Sequence, residues 1–144
     1  NVSVAALSAK WLGAGAAATA LSGALGLVLL AVAVVVFARR AGVRRPDVLE
    51  AALLLTLIPL LSPQGWDYVF LLATPAVMLL VNYSDRLPLA LRVITIAALA
   101  TIGLSLFDVM GRARYATFMA WSGITLCFFV VIAALAVTRF RRAA

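Results

Sequence analysis

The chain has 144 residues, of which 66% are hydrophobic and 12% charged, with a mean hydropathy of +1.16. An ordinary soluble domain carries roughly 25% charged residues, so the composition excludes that class and points to an integral membrane protein built of helices. Net charge is +7, from twelve basic and five acidic residues. The basic residues cluster between apolar runs and form no stripe with interleaved aromatics, so lipid headgroups are the expected partners and nucleic acid is not.

Histidine is absent, which removes the usual general base and the usual zinc ligand, and no metal or cofactor is expected. Cys127 is the one cysteine and lies inside an apolar run; an intrachain disulfide is impossible and a buried thiol is expected. The chain opens on Asn1 without an initiator methionine or the parts of a signal peptide, and reads as a piece of a longer polypeptide.

Asn1 to Gly15 comes first, with Lys10 and Trp11 placed as near a membrane surface. Asn1-Val2-Ser3 matches a glycosylation sequon, a reading we discount. The first span is expected over about 16–38, long enough for a bilayer core that needs roughly 20 apolar residues. Gly15, Thr19 and Gly23 follow at four-residue spacing, with Ser22 and Gly26 beside them, a small-residue face on which another helix can pack. Arg39, Arg40, Arg44 and Arg45 then end that helix, and Pro46-Asp47 starts the next.

The second span, about 47–61, is short: at about 1.5 Å per residue it reaches roughly 22 Å against a hydrocarbon core of about 30 Å. Pro59 is expected to kink it. Leu61-Ser62-Pro63-Gln64-Gly65-Trp66-Asp67-Tyr68 follows, a polar break between two apolar runs. Ser62-Pro63 carries the signals of a helix start, Asp67 suits a first turn, and Trp66 and Tyr68 favour a membrane boundary. Local physics allows two readings, a capped helix with an aromatic anchor or a recessed functional site. Because the second span falls short, the turn should sit below the outer surface, where irregular backbone needs protein or a wet cavity.

A third span of about 63–81, containing Pro75, leads to the polar link Asn82 to Pro88. The fourth span is expected over about 89–107, with Ala97, Thr101 and Ser105 as a second small face. The loop Asp108 to Tyr115 follows, then a fifth span of about 116–137 and the basic tail Arg139-Phe140-Arg141-Arg142. A single bundle of about five transmembrane helices results, with no soluble domain.

Counting basic residues on alternate loops gives nine on one side (Arg39, Arg40, Arg44, Arg45, Arg86, Arg92, Arg139, Arg141, Arg142) and three on the other (Lys10, Arg112, Arg114). The nine-residue side, with the C-terminus, should be cytoplasmic. Asn1, Lys10, Gln64, Asp67, Asp108, Arg112 and Arg114 then share the outer side. Arg112 and Arg114 suit either headgroup contact or a lipid-linked phosphate, for which the guanidinium fork is fitted.

The run Leu61 to Tyr68, continued by Val69 to Leu80 with Pro75, resembles the Ser-Pro-x-x-Trp segment late in the polyprenol-phosphate-dependent glycosyltransferases of family 87, of the GT-C membrane class. Asn1-Val2-Ser3-Val4 is similar to the Asn-x-Ser stretch that precedes it there. Many members carry a histidine just after the tryptophan; here Asp67 and Tyr68 follow, so no role of that histidine carries over.

The resemblance implies the C-terminal part of an enzyme that moves a hexose, mannose-like, from a polyprenyl-phosphate donor to a lipid or glycan acceptor on the outer face of a bacterial plasma membrane. It implies that the catalytic base, an acidic residue of the first outer loop, lies upstream, so no catalytic residue is assigned here. Gln64, Trp66, Asp67, Tyr68, Arg112 and Arg114 are the candidate substrate contacts: a carboxylate can hold sugar hydroxyls and an indole face can stack on a pyranose. A non-enzymatic structural or transporter-like multispan protein would account equally well for the small-residue faces and broken helices.

Overall fold

The computed structural model describes residues 1–41, 45–63 and 71–142. All regular structure among the described residues is helical: α1 (Val4–Leu12), α2 (Ala16–Ala38), α3 (Pro46–Leu61), α4 (Thr74–Asn82), α5 (Leu89–Leu104), α6 (Phe107–Met110), α7 (Arg112–Ala120) and α8 (Gly123–Arg142). Two of them, over Ala16–Ala38 and Gly123–Arg141, are long and apolar enough to cross a membrane.

These two long helices occupy opposite environments. α2 has the boundaries expected from sequence, and Leu27, Val28, Leu30, Val34 and Val35 all stand exposed along it. A contiguous exposed apolar face of this kind is what a membrane or a partner surface covers. α8 instead is the post around which the rest packs: α3, α4, α5 and α7 lie against it. Ile124, Phe128, Val131, Ile132, Ala134 and Leu135 are buried there against Leu53, Leu57 and Leu60 of α3 and Ala76 and Leu80 of α4.

Several expected boundaries shift for local reasons. The fifth span was expected over 116–137, but the helix breaks between Ala120 and Gly123 and resumes as α8. Ser122 takes a positive φ of 57°, and the ring of Phe118 lies where a Cβ on Gly123 would stand. A side chain at 123 would expel that ring, so the glycine permits the corner. The fourth helix stops at Leu104 and not at 107, because both the N–H and the hydroxyl of Ser105 donate to the Ile102 carbonyl and close the last turn. Pro59 lies buried inside α3, which continues to Leu61.

Ser62 is the C-cap of α3, its N–H donating to the Ile58 carbonyl at 2.9 Å. The helix start expected just beyond it falls outside the described residues. Described structure resumes with a 3-10 turn at residues 71–73, and Pro75 sits in the first turn of α4, where its missing N–H costs nothing.

The basic tail is the largest departure. Arg139 is 1% exposed and lies inside the bundle, where its Nη2 donates to Glu50 Oε1 at 3.0 Å and to the Pro46 carbonyl at 2.9 Å. Arg40 reaches the other oxygen of the same carboxylate at 3.7 Å. The N-terminal turn of α3 and the last turns of α8 are thereby joined by a buried ion pair.

Candidate functional site

The start of the chain is built as a cap. Asn1 Oδ1 accepts from the Ser3 N–H at 3.0 Å, and Ser3 Oγ accepts from the Ala6 N–H at 3.2 Å, an N-cap that opens α1. Val2 and Ser3 are buried, and the Val2 carbonyl accepts from Thr125 Oγ1 of α8 at 2.9 Å. Burial of the segment explains why the sequon-like triplet serves here as a structural motif.

The amide nitrogen of Asn1, free of that cap, donates to the Pro63 carbonyl at 2.8 Å across 62 positions of sequence. Thus the Asn-x-Ser triplet and the Ser-Pro dipeptide, matched separately in the sequence, meet at one point. Lys10, two turns further along α1, places its Nζ 3.5 Å from the Asn1 carbonyl and 2.6 Å from the Met119 carbonyl. A cation near the last carbonyls of α7 also suits the negative end of that helix. Asn1, Pro63, Lys10 and the end of α7 therefore form one polar cluster.

Gln64, Trp66, Asp67 and Tyr68 lie outside the described residues, immediately after the Pro63 carbonyl that Asn1 holds. Arg112 and Arg114 are exposed in the first turn of α7. They stand five to seven residues from Met119, about 7–10 Å along the helix. Arg112 is held over the Phe107 ring at 5.7 Å, and Phe107 in turn meets Tyr115 edge-on at 5.8 Å. Arg114 lines a shallow depression of about 400 Å³ with Ala113, Thr117 and Phe118. The cluster at Asn1 and the arginines thus lie at the two ends of the same short helix.

Of the seven polar residues assigned to one side from loop counting, Asn1 and Lys10 share this cluster. Sequence reasoning missed the backbone acceptors, the carbonyls of Val2, Pro63 and Met119, because a carbonyl leaves no mark in composition. Among the described residues there is no group of three or more histidine, cysteine, aspartate or glutamate side chains that could hold a metal ion. No family model, curated protein or solved structure matches this chain.

Proposed function

We propose that this chain is the C-terminal membrane portion of a polyprenyl-phosphate-dependent hexosyltransferase of family 87 type. It crosses the plasma membrane five times with its arginine-rich end in the cytoplasm, and its outer end binds a lipid-linked sugar. The observation that carries this reading is the hydrogen bond from Asn1 to the Pro63 carbonyl, because it brings together the two motifs on which the family resemblance rests.

In this reading the Gln64 to Tyr68 segment leaves an anchored point, with Asp67 receiving sugar hydroxyls and Trp66 stacking on the ring, while Arg112 and Arg114 neutralise the donor phosphate. The acceptor is a lipid or glycan, and the base that deprotonates it comes from an upstream outer loop.

The test uses the full-length protein in membranes, with mannosyl transfer from polyprenyl phosphate as the readout. Asp67→Asn and Trp66→Ala should each lower activity by more than about tenfold, equivalent to roughly 1.4 kcal/mol, without loss of insertion or thermal stability. Full activity per folded molecule in both variants would reject the substrate site and leave a membrane-boundary turn.

A second reading, a non-enzymatic structural or transporter-like multispan protein, is favoured by one feature. The small-residue face of α2 is open: a depression of about 530 Å³ is lined by Ala9, Gly15, Thr19, Ser22 and Gly23, among others, and a Cβ on Gly15 or Gly23 would meet nothing within 4 Å. Another helix could seat there, and in that reading the same two variants leave no transfer activity to lose.

A further inference from the structure

α2 and α8 run side by side in the same direction, yet they touch along little of their length. Between them lies an apolar groove of about 270 Å³, bounded by Leu25, Leu29 and Val32 on α2 and by Phe129, Ala133 and Ala136 on α8. From Leu25 to Val32 it extends about 10 Å, and its lining is almost wholly apolar, which fits a hydrocarbon chain. Beyond one end of the groove both helices reach the arginine-rich end. There Arg39 lies over the Phe140 ring at 5.8 Å, exposed and with no carboxylate partner among the described residues, and Arg40 adjoins it. Leu25 stands about 21 Å from Arg39 along the helix, close to the roughly 20 Å that one leaflet with its headgroup region occupies.

We infer that the α2–α8 groove, capped by Arg39, is a binding site for an anionic phospholipid of the cytoplasmic leaflet. One acyl chain fills the groove from Val32 to Leu25 and the phosphate is held by the Arg39 guanidinium. The apolar walls supply the chain site, and the Arg39 cation selects an anionic headgroup over a zwitterionic one, as basic pockets between membrane helices do. Phe140 holds Arg39 in place through its ring face. The inference rests on the membrane topology proposed above and is independent of glycosyl transfer, so loss of one leaves the other standing.

The test places the full chain in nanodiscs of equal parts phosphatidylglycerol and phosphatidylcholine, transfers it to mild detergent, and measures retained lipid by native mass spectrometry. Phosphatidylglycerol should be enriched over phosphatidylcholine by about fivefold. Arg39→Gln should abolish the enrichment, whereas Arg92→Gln, which removes one positive charge elsewhere at the same end, should preserve it. Ala133→Phe, at an exposed position on the groove wall, should reduce retention of both lipids by filling the chain site. No enrichment in the unmodified chain, equal losses in Arg39→Gln and Arg92→Gln, or full retention in Ala133→Phe would each overturn the proposal.

Discussion

At the end of the bundle that carries Arg139, α3 and α8 are joined by a buried ion pair, whereas at the Asn1 end α1 is tied to its neighbours by side chains donating to backbone carbonyls. The first arrangement has desolvated charge and depends on both partners being present. The second consists of single hydrogen bonds, two of them exposed, each of modest net worth. The arginine-rich end is therefore joined through charge, and the Asn1 end through single neutral or singly charged contacts to the carbonyls of Pro63, Met119 and Val2.

The sharpest way to break this contrast is Glu50→Ala. It leaves Arg139 charged and 1% exposed, with Nε and Nη1 already lacking hydrogen-bond partners among the described residues. Removing one partner of a buried pair costs about 3–5 kcal/mol. Thermal unfolding in nanodiscs should show a large drop, and the apolar pair Glu50→Leu with Arg139→Met should recover most of it. A small loss in the single variant would mean that the pair does not join the two helices.

Gly123→Ala comes next, and tests the corner that separates α7 from α8. The new Cβ takes the place of the Phe118 ring, which must turn outward. We expect a loss of about 1–3 kcal/mol, typical of overpacking, and recovery when Phe118→Ala is added. If the double variant is no more stable than the single one, the ring does not make the corner.

A smaller effect is expected from Asn1→Ala, which removes the acceptor for Ser3 and the donor to Pro63. Stability should fall by about 0.5–1.5 kcal/mol. If Asn1 positions the segment after Pro63, transfer activity per folded molecule should fall as well, by more than the stability loss explains. Activity that merely follows the folded fraction would confine Asn1 to capping α1.

The smallest effect belongs to Arg40→Ala. Its side chain is 61% exposed and lies 3.7 Å from Glu50, and exposed pairs contribute about 0–1 kcal/mol. A shift as large as that of Glu50→Ala would show that the outer arginine, and not Arg139, holds the carboxylate.

Much of this architecture was legible in the sequence where the signal is local. The limits of α2 follow from an unbroken apolar run between Gly15 and the paired arginines, and the start of α3 follows from Pro46-Asp47. The candidate site was legible in part. Loop counting grouped Asn1 and Lys10 on one side, and they do share a cluster, but their acceptors include backbone atoms on segments far away in sequence. Gln64, Trp66, Asp67 and Tyr68 lie outside the described residues, so the site's assignment still rests on the motif that contains them.

Composition and hydropathy by themselves determined that the chain is helical and apolar enough to cross a membrane, because each helix satisfies its own backbone and needs only neighbouring residues to form. Tertiary structure alone decided which apolar helix is buried and which is exposed. α2 and α8 are nearly alike as strings of apolar residues, yet α8 is surrounded by other helices while α2 keeps an open face. It also decided that Arg139 is an interior residue: read in sequence it belongs to a basic tail, and only the arrival of Glu50 from 89 positions away gives a charge at that depth a partner.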